Sequence, residues 1–233
     1  GDGGATIEAP VLFTHRGISS LFSNIFCSAL RGEKLARKES VWSGKEGQQV
    51  MADHLSIIDD GTLDGGSGSG TRDGEGTPTR NTTLIESGIL RTGIWSTRDA
   101  AEQMEKGNVE TAESTGNAGR GGHQSPPITS VSNLSLSSSA KRNTREALIE
   151  EMDEGFVIQS VMGAHTANPS SGDFSVTSSS ILKVEDGSVV GALKQAGLSG
   201  NLPSAFSDGV SLARMHDVNT MWAGGSIIIP DVM

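Results

Sequence analysis

Ile18, Leu21, Phe22, Ile25, Phe26 and Leu30 recur at i, i+3, i+4, i+7, i+8 and i+12, the spacing that gathers side chains on one face of an amphipathic helix. Such a face must lie on another apolar layer, and the rest of the chain offers strands to supply it. Val11-Leu12-Phe13 reads as a buried strand just ahead of the helix, and His54-Leu55-Ser56-Ile57-Ile58 alternates until Asp59-Asp60-Gly61, read as a turn. Runs 82–86 and 89–95 flank Ser87-Gly88 as a hairpin, 133–136 is a short strand, and 156–162, 173–179, 181–185, 189–193, 210–213 and 227–229 complete the strand candidates, with Asp186-Gly187 as a further hairpin turn. The first helix closes near Gly32, residues 33–49 look irregular, Thr97 caps a short helix over 98–106, and 107–132 reads as a long surface loop. Asn143-Thr144 caps a second principal helix over 145–152. The expected class is α+β, predominantly antiparallel β-sheet with two main helices, taken as one domain over residues 1–233.

Charge and apolar run length remove two function classes. Eighteen Lys and Arg against 28 Asp and Glu leave a net charge of -10, the wrong sign for binding a phosphate backbone through counterion release, so nucleic acid is not an expected partner. No apolar run approaches the roughly 18 residues of a membrane span. The single cysteine, Cys27, excludes an intramolecular disulfide framework and suits a reducing cytoplasm. The first residues show no signal peptide, and the chain starts without Met and stops just after an apolar run, so it reads as a piece of something longer.

Catalytic motifs are absent in recognisable form. The segment 61–80 holds seven glycines and could cradle phosphate with bare amides, but no Lys-Ser/Thr follows it, and Asp64, Asp73 and Glu75 place negative charge where phosphate would sit. The five histidines, His15, His54, His123, His165 and His216, include no helical i, i+4 pair. Cys27 follows Phe26 inside the apolar helix and reads as a small buried hydrophobe, and no G-x-S-x-G elbow offers a serine nucleophile.

The stretch LSIIDDGTLDGGSGSGTRDGEGTPTRNTTLIESGIL, residues 55–90, resembles the signature region of the TldD/PmbA family, also called the modulator of DNA gyrase family. Further matches follow in order: Thr115-Gly116-Asn117-Ala118, Ser132-Asn133-Leu134, Ile149-Glu150, Glu154-Gly155-Phe156, Met162-Gly163-Ala164-His165 and Asn168-Pro169-Ser170-Ser171-Gly172-Asp173-Phe174-Ser175. The last block, H-x-x-N-P-x-x-G-D-F-S, resembles the PmbA (TldE) branch. The resemblance covers nearly the whole chain but only the C-terminal half of a family member, and it implies that 61–80 is ordered rather than a linker.

In the TldD branch a helix carries His-Glu-x-x-x-His and a later cysteine completes a zinc site. Aligned on Ala29-Leu30-Arg31-Gly32-Glu33, this chain has Ser23, Asn24 and Ser28 at those positions and no cysteine beyond Cys27. Hydroxyls are poor zinc ligands beside imidazole, and an amide cannot activate a metal-bound water. The resemblance therefore implies a non-catalytic TldE/PmbA-like subunit without its own cofactor, paired with a zinc-bearing TldD-like partner in a complex that processes peptides and unfolded substrates. His165, Asn168, Pro169, Gly172, Asp173 and Phe174 are candidates for gripping a substrate strand or for holding a turn, and a strand edge near 156–185 is a candidate for strand addition. The alternatives are an active metallopeptidase with a divergent site drawn from His15, Cys27, His54 or His165, and a structural or interaction module. The Ile18–Leu30 face and several half-buried strands must be covered by something in a fragment of this kind, so self-association as a homodimer is expected as the alternative to the heterodimer.

Overall fold

The computed structural model describes residues 7–122, 124–140, 144–208, 220–222 and 225–228. Thr14 accepts a hydrogen bond from the Gly17 amide at 3.2 Å and so caps α1 (His15–Ala29), directly after β1 (Val11–Phe13). α2 (Gly32–Ala36), β2 (Leu55–Asp60), β3 (Asn81–Glu86), β4 (Ile89–Leu90) and α3 (Thr97–Glu105) follow. Next come β5 (Ala118–Gly119), β6 (Ile128–Thr129), β7 (Asn133–Ser138), α4 (Arg145–Glu150), β8 (Glu154–Met162), β9 (Asp173–Glu185), β10 (Ser188–Leu193), β11 (Ala196–Asn201), α5 (Leu202–Asp208), β12 (Thr220–Trp222) and β13 (Gly225–Ile228).

These elements build an α+β fold of mostly antiparallel sheets. One sheet has the order β1-β8-β9-β10, with β11 also paired to β9; the second has the order β12-β13-β7-β2-β3-β4; β5 and β6 form a small ribbon. The two parallel pairs are β1 with β8 and β13 with β7. A single apolar cluster joins α1 to both large sheets, uniting Leu21, Phe22, Ile25 and Phe26 with Leu55, Ile57, Leu84 and Leu134 and with Val176. Phe26 is its centre, with ring centroids 4.8 Å from Phe22, 5.0 Å from Trp42 and 5.1 Å from Phe206. A smaller cluster of Leu12, Leu148, Met152, Val157 and Val184 lies where α4 covers the other end of the first sheet.

The apolar face of α1 is buried inside its own chain, so this face is not what a second copy would cover. Gly17 makes this close fit possible: a Cβ there would lie 2.6 Å from the Ile158 carbonyl oxygen. The helix stops at Ala29, and Gly32 opens α2 instead of ending α1; its bareness serves packing, because a Cβ would lie 1.9 Å from the Trp95 ring.

Other expectations shift for local reasons. Ser96, not Thr97, caps α3, its Oγ accepting from the Asp99 amide at 3.0 Å. Thr144 caps α4 as expected, but α4 has six residues, so the fold has one dominant helix and four shorter ones among the described residues. The strands expected at 173–179 and 181–185 are one 13-residue strand, β9, and the loop expected at 107–132 contains the β5–β6 ribbon. Strand β9 is interior, with β8 on one side and β10 and β11 on the other, whereas β8 is paired on its outer side with β1 only at Phe156–Ile158, so of the edge expected near 156–185 the end of β8 has no strand beside it among the described residues. Ser87 and Gly88, at φ 49° and 76°, turn β3 into β4 as the hairpin signal implies. The strand expected at 210–213 lies outside the described residues, as does the end of that at 227–229.

Candidate functional site

Three polar arrangements stand out against this apolar frame. The first is a stripe on α1. Ten of its fifteen residues are buried, while Ser20, Asn24 and Ser28, at i, i+4 and i+8, are half-buried along one line. Asn24 donates from Nδ2 to the Ser20 carbonyl at 2.8 Å, and Ser23, buried beside the stripe, donates from Oγ to the Ser19 carbonyl at 2.5 Å. Both side chains thus bond back onto their own helix, the usual resource of Ser and Asn in a helix interior. The Ser20 hydroxyl oxygen is buried with no hydrogen-bond partner.

Ser23, Asn24 and Ser28 do not fit zinc. They supply two hydroxyls and an amide where imidazole or carboxylate would be needed, and two of the three are committed to backbone carbonyls. Cys27 does not repair the set. It is 3% exposed, and burial, with the nearby Asp59 charge adding to it, pushes its thiol far above the ordinary range, so it stays protonated. His15 and Cys27 stand at opposite ends of α1, His54 precedes β2 with Nδ1 3.7 Å from Asp53, and His165 is exposed on the short 3-10 turn Ala164–Thr166. Among the described residues no three His, Cys, Asp or Glu side chains gather closely enough to hold a metal. His123 and His216 lie outside the described residues.

The second arrangement is the glycine-rich segment, which is ordered as a cradle. Asp73 is its hub: Oδ1 accepts from the Glu75 and Thr77 amides, both at 2.9 Å, and Oδ2 accepts from the Ala118 amide at 3.0 Å. Glu75 reaches α3, accepting from the Thr97 and Arg98 amides at 2.6 and 3.2 Å, so a carboxylate sits at that helix's positive end. Beneath the cradle lies Asp59, only 1% exposed, with Oδ1 accepting from the Ser132 amide at 2.8 Å and Oδ2 from Asn117 Nδ2 at 2.6 Å. Burial pushes Asp59 up to about 6 despite these bonds. Asn133 completes the network, donating to the Asp60 carbonyl at 2.6 Å and accepting from the Gly68 amide at 3.1 Å. A polar cavity of about 160 Å³ lies over this layer, bordered by Gly70, Asp73, Thr79, Asn117, Gly119 and Ser132. It is too small for a nucleotide.

The pattern reading missed Asp59 because it assigned Asp59-Asp60 to a turn. The signal was available: Leu55, Ile57 and Asp59 share the inward parity of β2, whose burial alternates along its length.

The third arrangement is the 165–174 block. Asn168 Oδ1 accepts from the Ser170 and Ser171 amides at 2.9 and 3.3 Å, and its carbonyl accepts from the Gly172 amide at 2.7 Å. Gly172 has φ 82°, and a Cβ there would lie 2.3 Å from Pro203 Cδ. Asp173 accepts from Ser171 Oγ at 2.6 Å and from Asn201 Nδ2 at 2.9 Å, bonds that hold its carboxyl below the usual range. Pro169 is half-buried and Phe174 packs on the main core, whereas His165 stands exposed away from these bonds. The block thus behaves as a turn that ties β9 to β11.

Comparison with known proteins agrees with this geometry. Residues 6–233 match the PmbA/TldA metallopeptidase C-terminal domain. An uncharacterized protein of Methanocaldococcus jannaschii is 32% identical over 223 residues, covering 96% of this chain and 49% of the relative. A metalloprotease TldD homolog of Haemophilus influenzae is 30% identical, covering 74% of this chain and 34% of the relative. The crystal structure of TldE from Thermococcus kodakarensis superposes with a TM-score of 0.80 at 27% identity, covering 97% of this chain and 48% of that one. The chain therefore spans about half the length of the relatives it matches. It belongs to the PmbA/TldD metallopeptidase family, over that family's C-terminal domain.

Proposed function

We propose that this chain acts as a TldE/PmbA-like, non-catalytic subunit of a cytoplasmic metallopeptidase complex that processes peptides and unfolded substrates, with zinc supplied by a TldD-like partner. The observation that carries this reading is the chemistry of Ser23, Asn24 and Ser28 on α1. The helix that bears the zinc ligands in the TldD branch here offers Ser23, Asn24 and Ser28, and Ser23 and Asn24 are spent on their own backbone. Sequence coverage points the same way: a metalloprotease PmbA homolog of Buchnera aphidicola aligns over 97% of the chain and the TldD homolog over 74%. On this reading residues 1–233 form one domain of the C-terminal type, hold no metal of their own, and contribute scaffold and substrate-facing surface.

The test is reconstitution. Fluorescently quenched unfolded casein is incubated with this chain, with a TldD-like companion, and with both. Cleavage that requires both chains and survives Ser23→Ala with Ser28→Ala supports the reading. Chelator-sensitive cleavage by this chain alone overturns it.

A further inference from the structure

An Asp-Gly step is where a backbone most readily attacks its own side chain, because glycine leaves the amide nitrogen unshielded and the main chain free to turn. Six such steps occur in this chain, and those at Asp60, Asp64, Asp73 and Asp186 lie among the described residues. The fold closes three of them. Asp60 accepts from the Thr62 amide at 2.8 Å and from Asn81 Nδ2 at 3.0 Å, while the Gly61 amide donates to the Arg80 carbonyl at 3.0 Å. Asp73 is filled by the Glu75, Thr77 and Ala118 amides, and the Gly74 amide donates to the Ala118 carbonyl at 2.6 Å. The Gly187 amide donates to the Met152 carbonyl at 2.8 Å. Asp64-Gly65 differs from all three. Both residues are exposed, and neither the Asp64 carboxylate nor the Gly65 amide has a hydrogen-bond partner among the described residues. They form the centre of a β-turn closed by the Gly66 amide on the Leu63 carbonyl at 3.1 Å. Gly65 has φ 70°, and beyond its chain neighbours nothing lies within 4 Å of where its Cβ would be.

We propose that Asp64-Gly65 is a self-modification site, at which the folded chain converts to an isoaspartyl linkage. The Gly65 nitrogen attacks Asp64 Cγ: an N–Cγ bond forms, the nitrogen gives up its proton, and a carboxyl oxygen leaves as water, closing a succinimide. Water then adds to one of the two ring carbonyls, its proton returning to the nitrogen. Opening at Cγ restores aspartate. Opening at the main-chain carbonyl breaks the original peptide bond, carries the chain through Cβ and Cγ, and leaves the carboxylate on Cα. One water is lost and one regained, so the step needs no oxidant, metal or partner. The extra backbone carbon enters next to the ties of the glycine-rich cradle: Ser69 Oγ donates to the Leu63 carbonyl at 2.5 Å, and Asn133 holds Ser69 Oγ at 2.9 Å and the Gly68 amide at 3.1 Å. The inference does not rest on the proposed function, since the chemistry belongs to the turn.

Ageing the full chain in heavy-oxygen water, folded and in parallel in urea, tests it. Peptides are mapped by electron-transfer fragmentation, which separates isoaspartate from aspartate. In the folded chain, isoaspartate and heavy oxygen gather at Asp64 and exceed those at Asp60, Asp73 and Asp186 by at least about tenfold, because the other steps must first open hydrogen bonds. In urea the four steps come level. Asp64→Glu, whose longer side chain would have to close a larger ring, abolishes the signal at this position and leaves the urea midpoint unchanged. Absence of isoaspartate at Asp64 in the folded chain, a yield there no higher than at the other three steps, or a bias toward Asp64 that persists in urea overturns the proposal.

Discussion

Asp59 is a carboxylate held among neutral donors, and its energetics follow from that setting. Its folded value of about 6 lies above its ordinary 3.8, so between those pH values the folded chain keeps a proton that the unfolded chain has released. Stability from this group is therefore fully present below pH 4 and is lost as pH rises through 6, by roughly 3 kcal/mol for a shift of about two units. Urea unfolding of the native chain minus that of Asp59→Asn, measured between pH 4 and 7, should show this downward slope; a flat difference contradicts it. Asp59→Asn should itself lower stability at pH 7 by about 1–2 kcal/mol, since its amide would face the Asn117 donor. Gly32 makes a steric claim at the same scale. Gly32→Ala drives a Cβ into the Trp95 ring and should cost about 1–3 kcal/mol, read as a lowered urea midpoint.

Among the elements, α1 was legible because its period of apolar residues survives translation into burial: Ile18, Leu21, Phe22, Ile25, Phe26 and Leu30 are all at most 1% exposed. The hairpin at Ser87-Gly88 was legible because only residues tolerant of positive φ fit there. β11 was not legible, because its Ala-Gly-Leu-Ser-Gly-Asn sequence has little strand propensity and becomes a strand by pairing with β9. α2 and α5, of five and seven residues, are too short to show a period. The order of the 61–80 segment came from the family resemblance, since seven glycines taken alone describe a linker; its cause is the set of carboxylate clasps at Asp73 and Glu75, which only the fold reveals. Glu75→Ala should therefore both loosen the segment and uncap α3. We expect a loss of about 1 kcal/mol and new trypsin cleavage at Arg72 or Arg80. Unchanged proteolysis and stability would contradict the clasp.

At the scale of the whole molecule, one helix passes between two sheets with its apolar sides buried and a single half-buried line of Ser20, Asn24 and Ser28 left over. The positions that the family resemblance aligns with zinc ligands, Ser23, Asn24 and Ser28, lie on or beside this line, and on the proposed reading they hold no metal. The absence of a His-Glu-x-x-x-His pattern was readable from sequence, whereas the back-bonding of Ser23 and Asn24 was not, because it depends on rotamers within the packed helix. Elemental analysis of metal per chain, on protein purified without chelator and alongside Cys27→Ser, tests the central claim most directly. The account predicts zinc far below one equivalent in both proteins, and near-stoichiometric zinc that disappears in Cys27→Ser would contradict it.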